Sequence, residues 1–252
     1  MTNQQRATAW HLGEVLAFDT ETTGTDVNTD RIVTAAIARI RSGQTIEVRS
    51  WLINPGIPIP KAASDIHGIS NKEAQANGQN PAEAITQIAH VLKAGAMAGT
   101  PVIAFNASFD LTVLARECRR YDCEFPALLV IDPYVLDKQL DKWRKGLRTL
   151  TATCQHYNVR LAGAHDATED AIAAASVATR MAVMYPAELQ IELVALHSKQ
   201  VTWRYAAAAE FQTYLRTKKG EVDAVINGEW PVQSLPTGWD RTARPRIPSA
   251  FA

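Results

Sequence analysis

Cysteine is scarce in this chain: Cys118, Cys123 and Cys154 are the three among 252 residues, widely spaced and without a CxxC pair. That set excludes a disulfide framework and a thiolate zinc site, and it leaves buried free thiols as the expectation. Net charge is missing too, since 26 Lys and Arg balance 26 Asp and Glu. A whole-protein attraction to polyanions or membrane surfaces is thereby excluded, and any affinity for nucleic acid must be local. No stretch reaches the roughly 18 apolar residues of a membrane span, and the opening MTNQQRATAW lacks the apolar core of a signal peptide. A cytoplasmic protein is expected.

What is present is an ordinary globular composition, 46% apolar and 21% charged. The length fits one large domain or one domain with an extension, because single cores stop growing at roughly 250–300 residues. Three β segments open the chain: Val15 to Asp19, Arg31 to Ile40 and Ile46 to Ile53, with Ser42-Gly43 as turn chemistry between the last two. They predict a meander. Ser70 to Glu73 has the capping-box pattern, and Asn80-Pro81 places a cap before a first-turn proline, so helices start at both points, the second running to about Ala94. Pro101 to Phe105 and Leu128 to Asp132 read as two further strands, with a buried helix over 107–121 between them. Helical segments follow around 133–140, 149–157, 166–184 and 187–216. The order βββ then αβαβα predicts a mixed sheet covered by helices.

The chemistry-bearing residues fall at element junctions. Asp19 and Glu21 stand two apart at the end of the first strand and share a face, so they can share a cation. Alone, such a pair is commonly a solvated loop feature. Asp110, between Phe109 and Leu111 in a helix start, offsets the helix dipole if it acts alone, but an acid among apolar neighbours needs a partner. In Gly163 to Asp170, Asp166 and Glu169 are explained as a cap and its reciprocal partner. His165 and Asp170 are left over, with Asp170 pointing inward among alanines and His165 just outside the helix, where a lone histidine is usually a surface or cap residue. Brought to one point, Asp19, Glu21, Asp110 and Asp170 would repel one another by about 4 kcal/mol per pair at 4 Å and an effective dielectric near 20. Cations resolve that conflict. Oxygen ligands with open positions suit Mg²⁺ or Mn²⁺ rather than zinc, and two such ions roughly 3.5–4 Å apart form the clamp for in-line phosphoryl displacement. An imidazole such as His165 can take the proton from the attacking water.

DTETTG with Asp19 and Glu21, FNASFD with Asp110, and His165 ahead of Asp170 form three ordered motifs. Across residues 15–184 the chain resembles the DEDDh (DnaQ-like) 3′-5′ exonucleases, the family of the proofreading epsilon subunit of bacterial DNA polymerase III, ribonuclease T and oligoribonuclease. The segment from Asp132 to Arg148 is similar to stand-alone exonucleases of actinobacteria and their phages. The resemblance implies an α/β, RNase H-like mixed five-stranded sheet with helices on both faces, plus a C-terminal helical extension. The exonuclease domain is expected over 10–185, a helical extension over 186–235, and, from the Pro-, Gly-, Trp- and Arg-rich end of the chain, a flexible tail over 236–252. Asp19, Glu21, Asp110 and Asp170 would be the metal ligands for two divalent cations, Mg²⁺ or Mn²⁺, and His165 the general base. The reaction implied is release of nucleoside 5′-monophosphates from the 3′ end of single-stranded nucleic acid, DNA before RNA. A 3′-5′ exoribonuclease and an inactive nucleic-acid- or polymerase-binding relative are the alternatives, the complete acid set arguing against the second.

The resemblance also implies substrate contacts from Thr22, His67, Phe105 and Asn106, with a turn residue and a core aromatic as equal readings of Thr22 and Phe105. Phe105 departs from the family, which often has histidine there, and this bears on terminal-base preference rather than on catalysis. A local basic run, Lys138, Lys142, Arg144, Lys145 and Arg148 around the one aromatic Trp143, can hold phosphates and stack a base, with Trp143, Arg144, Lys145 and Arg148 as the expected contacts, though a solvated helix face explains it equally well. A DNA polymerase or a second copy of the chain are the protein partners considered, the latter because the last long helix carries much apolar surface.

Overall fold

The computed structural model describes residues 10–243. A turn of 3₁₀ helix at Trp10–Leu12 leads into an antiparallel meander of β1 (Glu14–Thr22), β2 (Ile32–Arg41) and β3 (Gln44–Leu52). Two short strands, β4 (Val102–Ile103) and β5 (Val130–Ile131), pair in parallel beyond β1, giving the order β3-β2-β1-β4-β5. The expected mixed five-stranded sheet is therefore present, with β1 in its middle.

Nine α-helices of the described residues surround it. They are α1 (Lys61–His67), α2 (Asn71–Asn77), α3 (Pro81–Met97), α4 (Ala107–Arg120), α5 (Pro133–Leu140), α6 (Leu150–Tyr157), α7 (Ala167–Met184), α8 (Pro186–Leu189) and α9 (Leu193–Tyr214). The caps act as their sequences imply: Ser70 Oγ accepts from Glu73 N–H, and Asn80 Oδ1 accepts from Ala82 and Glu83 N–H. Three features differ from the sequence reading. α1 has no buried residue, so no apolar period betrays it; Gly68 at φ 79° ends it. α3 continues a turn beyond Ala94. The helix expected over 187–216 is broken at 190–192, because Glu192 turns out to cap α9 by accepting from Ala195 N–H.

Strand alternation decides what each face packs against. Leu16 and Phe18 join Ile85, Ile88 and Leu92 of α3 and Leu111 and Leu114 of α4 on one side. Val15 and Ala17 join Ala171, Ala174, Ala175 and Ala178 of α7 on the other. Each large side chain so buried contributes about 1.5–3 kcal/mol. The alanines let α7 lie close to the sheet, which sets the height of whatever its first turn carries.

The outer edge of β5 is closed by α9. Gln200 Nε2 donates to the Val130 carbonyl at 3.0 Å while its Oε1 accepts from Asp132 N–H at 2.7 Å, and His197 Nδ1 accepts from Val130 N–H at 3.1 Å. The chain then returns across α4: Trp230 is buried in the core, Gln233 N–H donates to Thr112 Oγ1, and Arg116 donates to the carbonyls of Gln233 and Ser234. Within the stretch read as a tail, Trp239 Nε1 donates to the Asn28 carbonyl and Arg241 pairs with Asp122, so residues 236–243 lie against the core; 244–252 fall outside the described residues. Cys118 and Cys154 are buried free thiols, and Cys123 is half-buried.

Candidate active site

Asp19 and Glu21 lie two apart on β1, opposite Ala36 and Thr34 of β2, and so share the face that α7 covers. Thr20, between them, serves the other direction. Its N–H and Oγ1–H donate to Asp110 Oδ1 at 3.1 and 2.7 Å, tying the first turn of α4 to the end of β1. Asp110 is buried. The residue before α4, Asn106, holds a left-handed φ of 59°, a conformation asparagine tolerates better than most.

That loop is fixed by an acid the sequence reading did not single out. Asp132, buried at the end of β5, accepts from Asn106 and Ala107 N–H at 2.9 Å each, from Tyr134 N–H at 2.9 Å and from Trp230 Nε1 at 3.1 Å. Burial still lifts its pKa to about 6 against those four donors. Asp132-Pro133 has the cap-then-proline form of Asn80-Pro81, which is the signal that marks it; Trp230, nearly a hundred residues on, has none.

Asp170 arrives from α7. Asp166 caps the helix as expected, accepting from Thr168 and Glu169 N–H. His165, at φ 67°, donates its backbone N–H to Asp170 Oδ2 at 3.0 Å, while Asp170 Oδ1 is buried with no hydrogen-bond partner. Glu21, His165 and Asp170 each offer a ligand atom, all within 4.8 Å of one another. The remaining two acids join them electrostatically. Burial holds the Asp19 carboxyl well above the usual range, and Asp110, Asp170 and Glu21 raise it further. Burial, Asp170 and Asp110 push Glu21 up to about 8. Asp110 is driven by burial to about 7 although Thr20 opposes the shift, and burial raises Asp170 against its bond from His165. Four acids that all grip their protons mark a pocket short of positive charge. The oxygen-rich donor set and the orphaned Asp170 Oδ1 fit hard divalent cations.

The other expected contacts divide. His67 ends α1 and lies near His165: its pKa is lowered chiefly by burial and further by the His165 imidazole, and its Nε2 is buried without a partner. Phe105 packs edge-on against Tyr134, ring centroids 5.7 Å apart. Thr22 spends its hydroxyl on the Gly24 carbonyl. In the basic run the structure corrects two residues: Arg144 and Arg148 both turn inward to Asp137, at 2.7 and 2.5 Å, because that fully buried carboxylate has to be neutralised. Lys145 and Trp143 remain exposed.

A family model described as exonuclease matches residues 16–178. Among curated relatives, an epsilon-like protein of DNA polymerase III from Rhodobacter capsulatus is 38% identical over 108 residues, 40% of this chain and 14% of that one. A PolC-type DNA polymerase III from Caldanaerobacter subterraneus is 25% identical over 169 residues, 67% of this chain and 12% of that one. The chain thus spans a small fraction of the length of these relatives. Among solved structures, Escherichia coli exonuclease I in complex with a dT13 oligonucleotide superposes with a TM-score of 0.61 at 21% identity, covering 69% of this chain and 42% of that one. Exonuclease I from Methylocaldum szegediense gives 0.57 at 22% identity, covering 81% and 46%. These structural likenesses establish the RNase H-like fold. No helix among the described residues is long and apolar enough to cross a membrane.

Proposed function

Because the chain belongs to the exonuclease family, we propose that it hydrolyses single-stranded nucleic acid, DNA in preference to RNA, from the 3′ end with two divalent cations, Mg²⁺ or Mn²⁺. The observation that carries this reading is the convergence of Asp19, Glu21, Asp110 and Asp170, each with a raised pKa, around a buried unpartnered Asp170 Oδ1 and beside His165. The DNA preference is supported by the polymerase relatives and by the oligonucleotide bound to the E. coli neighbour.

Asp19, Glu21, Asp110 and Asp170 would hold the cations. Bound there, divalent cations supply Lewis acidity, polarising phosphoryl oxygens and steadying charge on the leaving oxygen. The protein's own contribution is placement. Thr20 fixes the Asp110 carboxylate, Asp132 fixes the loop before it, and the His165 N–H fixes Asp170. In the reaction a water oxygen forms a bond to the terminal phosphorus and the bond from phosphorus to the preceding O3′ breaks. His165, exposed at the mouth of the pocket, takes the proton of that water, a role worth about 10²–10⁴ in rate. The departing O3′ takes a proton and becomes the new 3′ end. His67 and Phe105 flank the terminal nucleotide, and Asn106 and Thr22 shape the loops around it.

The test is degradation of end-labelled oligonucleotides of DNA and RNA in parallel. Loss from the 3′ end, requiring Mg²⁺ or Mn²⁺ and abolished by Asp19→Asn or His165→Ala in folded protein, is expected. Activity surviving both Asp19→Asn and EDTA removes the proposal, and RNA cleaved faster than DNA replaces its substrate with the exoribonuclease reading.

A further inference from the structure

The basic run of the sequence divides in the structure, and one of its members, Lys138, is joined by a cation from α9 that the sequence did not point to. Arg144 and Arg148 are consumed by Asp137, and Lys142 pairs with Glu210 of α9 at 2.9 Å. Lys138 and Arg204 are placed differently. Lys138 Nζ lies 4.6 Å from the centroid of the Tyr134 ring, and Arg204 Nε is buried with no hydrogen-bond partner. The two residues come from α5 and α9, and together with Tyr134, Gln139 and Trp203 they line one depression between these helices.

Contacts link this depression to the loop before α4, the helix that carries Asp110. Tyr134 packs on Phe105, the residue before Asn106, and the Tyr134 and Asn106 amides share the Asp132 carboxylate. In the other direction, one turn beyond Lys138, the chain reaches Lys142 and then Trp143, whose indole is 86% exposed with Lys142 over its ring. An indole left in water beside a cation is costly as packing and well suited to stacking a base. Among the described residues Arg204 makes no side-chain hydrogen bond, and although its Nε is enclosed its terminal Nη atoms are free to meet a phosphate with the planar fork that suits one.

We propose that the surface over the small depression between α5 and α9, the α5/α9 groove, is a binding track for the single-stranded backbone that precedes the 3′ end. Lys138 and Arg204 take phosphate oxygens, and Trp143 stacks a base farther out. The inference rests on the nuclease reading above and adds to it a length-dependent subsite built by the C-terminal helix.

The experiment uses the full chain and its Lys138→Ala, Arg204→Gln and double variants, with folding checked by circular dichroism. A thymidine dinucleotide reaches only the acidic pocket, whereas a long oligothymidylate also fills the groove. For the long substrate the double variant is expected to raise KM about tenfold and to reduce the magnitude of the slope of log affinity against log salt by about 1.4, two phosphates at roughly 0.7 each. The dinucleotide kcat/KM stays unchanged. Trp143→Ala weakens the long substrate without altering the salt slope. Anisotropy of a 5′-fluorescein oligothymidylate in EDTA reads the groove without catalysis, so binding is scored whether or not cleavage occurs. Variants that leave long-substrate KM, anisotropy and salt slope at wild-type values overturn the inference while the nuclease reading stands. Equal damage to the dinucleotide also overturns it. Failure of the unaltered chain to cleave either substrate removes the nuclease reading instead, and the anisotropy then decides the groove separately.

Discussion

Asp170 has one oxygen held by the His165 backbone and the other enclosed with nothing to bond, so in the metal-free chain it is a cost that folding has to carry. Replacing it with asparagine keeps the shape and removes one charge from a crowded acid cluster. Asp170→Asn is therefore expected to raise the melting temperature measured in EDTA by about 2–4 °C, corresponding to about 1 kcal/mol, while abolishing cation-dependent cleavage; a lowered melting temperature would show that the carboxylates do not repel. The same crowding sets a pH dependence. Glu21 titrates at about 8 in the folded chain against an ordinary value of 4.5. Below 4.5 both folded and unfolded states hold the proton. As pH rises from there to about 8, the unfolded state releases it first, so metal-free stability falls through that window and flattens above it. Denaturant titrations in EDTA at successive pH values check this, and Glu21→Gln should flatten part of the slope. Arg144 and Arg148 belong to this scale as well. Both neutralise Asp137, so replacing Arg144 and Arg148 together with alanine, which leaves that buried carboxylate without a cation, is expected to destabilise the chain by about 3–5 kcal/mol, while Arg148→Ala alone costs less because Arg144 remains. Neither change alters the salt dependence of nucleic-acid binding, which calorimetry and anisotropy can separate.

At the scale of elements, the acidic pocket depends on parts distant in sequence. β5 is an edge strand two residues long, and Gln200 of α9 supplies the hydrogen bonds that another strand would have made. Gln200→Leu leaves the Val130 carbonyl and Asp132 N–H buried and unpaired, at about 1–3 kcal/mol each. Trp230→Phe keeps the packing and removes one donor from Asp132. Its expected cost is about 1–2 kcal/mol in stability together with weaker Mn²⁺ binding, read by calorimetry, because Asp132 holds the loop before Asp110. Unchanged Mn²⁺ affinity would limit Trp230 to packing. These dependencies also explain which features could be read from the sequence. β1 to β3 were legible because apolar runs and a Ser-Gly turn are local signals, and α2, α3 and α7 because Ser70, Asn80 and Asp166 are caps that act within three residues. The positions of Asp19, Glu21, Asp110 and Asp170 at element ends were legible for the same reason. α1 was not, since it buries nothing, and neither was the break before α9, where Glu192 competes as a cap. The bonds from Gln200 and Trp230 to the β5 region span 68 to 98 residues, and no local pattern encodes them. The basic run misled because charge alone does not reveal that Asp137 is buried and claims its arginines.

For the whole molecule, balanced net charge hides an internal imbalance: four acids lie at one end of the sheet, while much of the cationic charge is spent on Asp137, Glu117 and surface partners. Two dipositive ions would cancel the charge of Asp19, Glu21, Asp110 and Asp170, so binding and folding are linked. A ligand that binds only the folded chain stabilises it by RT ln(1 + [L]/Kd), about 2.7 kcal/mol at a hundredfold excess over Kd. At about 2–4 °C per kcal/mol for a chain of this size, the melting temperature should climb steadily as MnCl₂ is added to EDTA-treated protein and fall back when chelator is restored. The gain should be larger at pH 8 than at pH 6, since at the lower pH cations must displace protons that Glu21 and Asp110, at about 8 and about 7, still hold. Asp19→Asn should lose most of the gain at both pH values. A shift equal in the unaltered chain and in Asp19→Asn would place the ions elsewhere on the surface and break the link between the acid cluster and the chemistry.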